Sequence, residues 1–226
     1  MRSHVIALLA ATLCACTIGN RPASASDAGG ELADSGPGLG DAGSSAGDAG
    51  GEPTLPWEGG PAVYAKWTHG PPARTDFFPI SVWLQSESNA AAYQAIGVNT
   101  FIGLWNGPTE AQLTALATAK MPALCDQGGV WQAHKDDPII EGWTQQDEPD
   151  NAQDDGKGGY GPCVDPSAIV SLYKTWTAND STRPVFLNFG QGVGWQDYYG
   201  RGSACAGKLD MYPQYMEGAD IVSFDI

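Results

Sequence analysis

Six short apolar runs, each ending in a polar side chain, constrain the fold of this chain more than any other feature. They are FFPISVWLQ (77–85), NTFIGLW (99–105), MPALCDQ (121–127), PIIEGWTQQDE (138–148), RPVFLNFGQG (183–192) and ADIVSFDI (219–226). Their β-branched and aromatic content predicts strands. Between them, SNAAAYQAIG (88–97) reads as a helix closed by Gly97, and TEAQLTALATAKM (109–121) as one capped by Thr109. DPSAIVSLYKTWTAND (165–180) reads as a helix capped by Asp165, with Pro166 in its first turn. Residues 129–137 read as a loop or short helix. Strands alternating with helices predict βα units and a parallel sheet.

The ends of the runs narrow the fold further. They carry Gln85, Asn106, Asp126 with Gln127, Asp147 with Glu148, Asn188 with Gln191, and Asp225. Apolar strands that each end in a polar group build a ring of hydrogen-bonding side chains at one face. A doubly wound sheet gathers such groups at one switch point instead, and no glycine-rich phosphate loop follows any run. The expected fold is α/β, a (β/α)8 TIM barrel. A complete barrel takes roughly 250 residues, and Leu55–Ile226 is shorter, with runs for about six units. The barrel is therefore expected to be incomplete in this chain, without strands seven and eight, and with exposed sheet edges.

The sequence before Leu55 has a different character. Residues 1–16, MRSHVIALLAATLCAC, combine Arg2 with an apolar stretch from Val5 to Leu13, too short to span a membrane as a mature helix. This predicts an export signal. Leu13-Cys14-Ala15-Cys16 resembles the bacterial lipobox, which makes Cys16 the lipidated residue and anchors the protein in the cell envelope. The alternative is an ordinary signal cut near Ala23 or Ala25. Residues 17–54 are rich in Ala, Gly, Ser and Asp, with Asp-Ala-Gly recurring at 27–29, 41–43 and 48–50. Such a segment lacks the apolar surface to offset its ordering entropy, so a disordered tether is expected.

Net charge excludes one class of partner. The chain carries 11 basic and 26 acidic residues, a formal charge of −15, and no basic run. Nucleic acid binding needs clustered Lys and Arg, so it is not expected. No sequence pattern specifies an oligomeric state.

The chemistry concentrates in IIEGWTQQDEPDN (139–151). An apolar strand that runs into Asp147-Glu148 and is stopped by Pro149 would place the Glu148 carboxylate at a barrel rim, where such folds keep their chemistry. Taken alone, Asp-Glu-Pro reads rather as a solvated loop acid, and the rest of the chain shifts that reading. Trp105 beside Asn106 is a candidate sugar platform, and Trp131 and Trp195 are candidate stacking residues in loops. Trp83 and Trp143 are expected to pack between strand and helix. His134 has no partner at ligand spacing. Asp150–Gly159 lacks the regular acids and closing Glu of an EF-hand. No metal and no cofactor are expected. Export permits disulfides, and Cys163 with Cys205 are the candidate pair, while Cys125 in an apolar run reads as a buried thiol.

GWTQQDEPDN after an apolar strand, with LWNGPTEAQL upstream and ADIVSFDI downstream, resembles the (β/α)8 glycoside hydrolases of the large retaining clan. The resemblance covers about residues 76–226 and points to a bacterial branch of glycosidase-like lipoproteins. It implies hydrolysis of O-glycosidic bonds in a glycan, with Glu148 as general acid/base. Asp147 takes the place of the clan's Asn that binds the sugar 2-hydroxyl, and a second carboxylate there would raise the pKa of Glu148. Asp147, Trp105, Asn106, Asp126, Asn188, Gln191 and Asp225 are the candidate substrate-binding residues. The clan's nucleophile is a Glu at the end of strand seven, so none is assigned. Retaining chemistry needs two carboxyl groups roughly 5–5.5 Å apart on opposite sides of the bond, which adjacent Asp147 and Glu148 do not supply. The second expectation is a non-catalytic carbohydrate-binding or surface lipoprotein on a degenerate barrel.

The lipobox reading is tested by Cys16→Ser in a bacterial host. The variant should leave the membrane fraction and the detergent phase, whereas the unaltered chain stays there. Identical partitioning of the two would remove the anchor.

Overall fold

Residues 60–225, apart from 196, are described by the computed structural model. The signal segment 1–16 with Cys16, and the linker 17–54, lie outside the described residues. Among the described residues, no helix is long and apolar enough to cross a membrane.

The elements alternate as the apolar runs predict. They are β1 (Ser81–Trp83), α1 (Ala90–Ala95), β2 (Thr100–Ile102), α2 (Glu110–Ala119), β3 (Ala123–Cys125) and β4 (Ile140–Thr144), followed by α3 (Pro166–Asn179), β5 (Val185–Phe189), α4 (Tyr212–Met216) and β6 (Ile221–Phe224). Single 3₁₀ turns precede α1 and α4. All six strands are parallel and pair in chain order, each with the next. A doubly wound sheet would reverse its order at a switch point, and this one does not.

The sheet also curls. Trp83 on β1 and Phe186 on β5 have ring centroids 6.3 Å apart. In a flat sheet, strands four places apart lie about 19 Å from one another, at about 4.8 Å per strand. Contact across that gap requires the strands to close around a shared inner face. The architecture is a curled, all-parallel six-stranded α/β sheet.

Local signals explain where the helices begin. The Thr109 hydroxyl accepts from the Gln112 amide while the Gln112 side chain accepts from the Thr109 N–H, a complete capping box at α2. The Asp165 carboxylate accepts from the Ser167 amide, and Pro166 opens α3. Gly97, at φ +95°, follows α1 in the left-handed conformation that a helix end favours.

The strands are shorter than the apolar runs that signal them. β4 ends at Thr144, so Glu148 is not its last residue, and Pro149 does not terminate it. Irregular backbone pairing carries the chain onward instead. The Gln145 amide donates to the Phe186 carbonyl, and the Glu148 amide to the Asn188 carbonyl.

Helices cover the outer face. Phe101, Leu113, Leu116, Met121, Ile140, Trp143 and Trp176 form one buried cluster. Ile169, Leu187, Phe189, Tyr212 and Tyr215 form another. Trp143 is fully buried as expected, its indole N–H donating to Asp180 at 3.1 Å. Trp83 is half-buried on the inner face, not between strand and helix. Trp131, half-buried, packs against the first cluster.

A buried ion pair joins these layers. Arg183, with no exposed surface, binds Asp180 at 2.7 Å and donates to the carbonyls of His134, Lys135, Asp137 and Ile140. Burial pushes the Asp180 carboxyl up, but hydrogen bonds from Thr182 and Arg183 outweigh it and hold the carboxyl below its usual range. A depressed folded-state pKa adds stability above the unfolded value, and that stability is lost as pH falls through the folded one. Arg183→Leu would leave Asp180 buried without its cation, at a cost of about 3–5 kcal/mol. Urea unfolding at neutral pH should show that loss, and the difference between the two proteins should shrink in acid.

Candidate functional site

Beyond the C-terminal ends of β4, β5 and β6, two carboxylates converge on one amide, with a third beside them. Asn188, the fourth residue of β5, faces the inner side and is buried. Its Nδ2 donates to Asp147 Oδ1 at 3.0 Å and to Asp225 Oδ1 at 3.1 Å. Its Oδ1 accepts from the Ser223 hydroxyl at 2.5 Å, on the neighbouring β6. Parallel register pairs Asn188 with Ser223, which makes this contact a product of strand alignment. The Asn188 amide is therefore committed to holding carboxylates rather than open for substrate.

Glu148 sits beside this group in a left-handed backbone conformation, φ +43°. Its Oε2 is held by Arg201 at 2.9 Å and by the Asn151 amide at 3.2 Å. Its Oε1 lies over Gly190, where an added Cβ would stand 3.1 Å away. A side chain at 190 would crowd that oxygen.

Burial is the main force on these acids. It pushes the Glu148 carboxyl up, against the Asn151 hydrogen bond and the Arg201 charge, with Asp147 and Asp225 adding to the rise. The expected like-charge effect of Asp147 is present but secondary. Asp147 is likewise pushed up by burial, opposed by its bond from Asn188 and reinforced by Asp225.

A cleft of about 160 Å³ adjoins the group, lined by Trp83, Asp126, Thr144 and Asp147 among others. The buried Thr144 hydroxyl has no hydrogen-bond partner among the described residues. Buried polar groups seldom go unpaired, so this hydroxyl is an exception within the wall of the cleft. Asp126 is exposed at the end of β3, and burial of its carboxyl still outweighs the Gly128 amide and raises its pKa.

Among the described residues, the remaining candidates are not hydrogen-bonded to these acids. Trp105 is 66 % exposed, and Asn106 beside it is exposed with φ +53°. Gln191 opens a 3₁₀ turn, where its carbonyl accepts from the Gly194 and Trp195 amides. Trp195 is exposed and tilts against Tyr198 at 6.1 Å. His134 is tied to Glu110 at 2.9 Å and Asp137 at 3.0 Å, away from the acids. No group of side chains suited to a metal ion occurs among the described residues.

Cys163 and Cys205 are brought together but not joined. Both are free thiols, and the Cys163 amide donates to Cys205 Sγ at 2.6 Å. Burial pushes the Cys205 thiol up to about 11, with Cys163 adding to it. Cys125 is a buried thiol, as its apolar run implies, pushed by burial up to about 12.

Sequence reasoning missed Arg201, Asn151, Ser223 and Thr144. Nothing in YYGRGSACAGK distinguishes Arg201 from a solvated loop base, and its partner lies far back in the chain. It also missed Asp150, whose carboxylate accepts from the Tyr212 hydroxyl at 2.6 Å and the Gly190 amide at 2.9 Å. Burial raises the Tyr212 pKa, and Asp150 raises it further.

Compared with known proteins, the chain matches no family model and has no match among curated sequences.

Arg201→Met isolates the charge effect on Glu148. Its carboxyl should titrate at higher pH in the variant, because burial is then opposed by Asn151 alone. Carboxyl-carbon NMR titration reads this directly, and an unmoved Glu148 resonance would mean that the ion pair does not act on it in solution.

Proposed function

We propose that this chain is a glycoside hydrolase-like domain of the (β/α)8-barrel class, exported and lipid-anchored through Cys16 at the cell envelope. It acts on O-glycosidic bonds of a glycan. The observation that carries the reading is the cluster of Asp147, Glu148 and Asp225 at the C-terminal ends of neighbouring parallel strands, beside a cleft with an indole wall. Chemistry on parallel barrels occurs at that end of the sheet.

In this reading Glu148 is the general acid/base. Arg201 and Asn151 hold Oε2, which leaves Oε1 to protonate the departing glycosidic oxygen. Burial keeps the carboxyl more basic than a free glutamate, as a proton donor near neutral pH requires. Asn188 fixes Asp147 and Asp225 as acceptors for sugar hydroxyls. Trp83 supplies a flat apolar face, and Thr144 a further hydroxyl. The attacking carboxylate belongs, by the resemblance, to a seventh strand.

A second reading has its own support. The Arg201–Glu148 ion pair favours an ionised glutamate, which suits a non-catalytic glycan-binding domain better than an acid.

Glu148→Gln separates the two. In an active preparation the near-isosteric amide should keep the fold and glycan binding. Hydrolysis of natural glycans should fall about 10²–10⁴-fold, with activated aryl glycosides affected less in bond cleavage. Undiminished turnover of natural glycans would remove Glu148 from the mechanism. Binding without turnover in both proteins would favour the second reading.

A further inference from the structure

At the opposite end of the sheet, the start of β4 carries a carboxylate that the proposed chemistry does not use. Ala123 pairs with Ile140, and Leu124 with Gly142, so Glu141 is an extra residue between two registered pairs. Such a bulge re-aims a side chain. Here it turns Glu141 toward a cavity of about 330 Å³, whose walls include Phe77, Phe78, Asn99 and Pro122. Glu141 is only 7 % exposed, and its Oε2 has no hydrogen-bond partner among the described residues.

A buried, uncompensated carboxylate is costly, and a cation or a proton relieves it. Burial pushes this carboxyl up to about 7. The other charges lining the cavity are Arg74, Asp76 and Lys120, all on exposed residues. Arg74 lies 3.4 Å from Asp76. Lys120 and Arg74 line the cavity together with Glu141, so a simple cation there would also feel their charges. A ligand with an anionic end turns that repulsion into attraction. Phe77 and Phe78 also line the cavity, and aromatic rings attract an ammonium group.

We propose that this cavity binds a small zwitterion, its ammonium paired with Glu141 and its carboxylate facing Lys120 and Arg74. Binding is linked to a proton. A cation beside Glu141 favours the ionised form, so ligand uptake releases a proton near neutral pH and strengthens as pH rises through about 7. Without ligand the sign is opposite. The raised folded-state pKa makes the acid a growing cost to stability as pH climbs from 4.5 to about 7.

The test is calorimetric titration of the full chain with 6-aminohexanoate, butylamine and hexanoate in turn. The zwitterion should bind more tightly than either single-charge probe, and more tightly at pH about 8 than at about 5.5. Buffers of different ionisation enthalpy should reveal proton release near pH 7. Glu141→Gln should weaken the zwitterion roughly tenfold or more and abolish the proton release. Lys120→Met should weaken the zwitterion while sparing butylamine. Should Glu141→Gln fail to fold, proton release by the unaltered chain still decides the matter. The proposal is overturned if 6-aminohexanoate does not bind, if hexanoate binds as well, if no proton is released, or if Glu141→Gln binds unchanged.

Discussion

Much of this structure hangs on one buried guanidinium. Arg183 precedes β5, yet its donors reach the segment leading into β4 and the cap of α3. A planar fork with five N–H groups can satisfy several carbonyls at once, which a lysine cannot. The result is a fixed start for β4 between two layers. Everything chemically notable on that strand inherits its position from there, including the bulge at Glu141 and the run onward to Asp147 and Glu148.

The two ends of β4 show how one force gives different outcomes. Burial raises the carboxyl pKa at both ends. Around Glu148 it is opposed by the Asn151 hydrogen bond and the Arg201 charge, and still prevails. Around Glu141 no described donor reaches Oε2, and the raised value persists. At the upper end, Asn188 lets Asp147 and Asp225 approach one another by donating to both. A single amide thus sustains a density of negative charge that water would otherwise have to screen.

Much of the fold was legible because its signals are local. The six strands, the Thr109 and Asp165 caps and the Gly97 helix end rest on neighbouring residues. Strand ends were read too late, because Gln145 and Glu148 still bond the β5 backbone after the regular ladder stops, although the chain bends at Asp147 and turns left-handed at Glu148. α4 was missed for a different reason. Its short YPQYM segment carries little helical periodicity and is held by Phe189 packing on Tyr212 and Tyr215, with centroids 5.3 and 5.8 Å away. The acids Asp147, Glu148 and Asp225 were visible as strand-tip residues, but their organiser was not. The partners of Asn188 and Arg201 are set by register and loop folding, which no window of sequence contains.

The backbone at Glu148 has an evolutionary corollary. A non-glycine residue at φ +43° carries a strain of about 1–3 kcal/mol. Glycine or asparagine would occupy that conformation more comfortably. A lineage released from any need for this carboxylate would thus be drawn toward Gly or Asn by stability alone. Persistence of glutamate among descendants would be a record of selection acting against the fold's own preference.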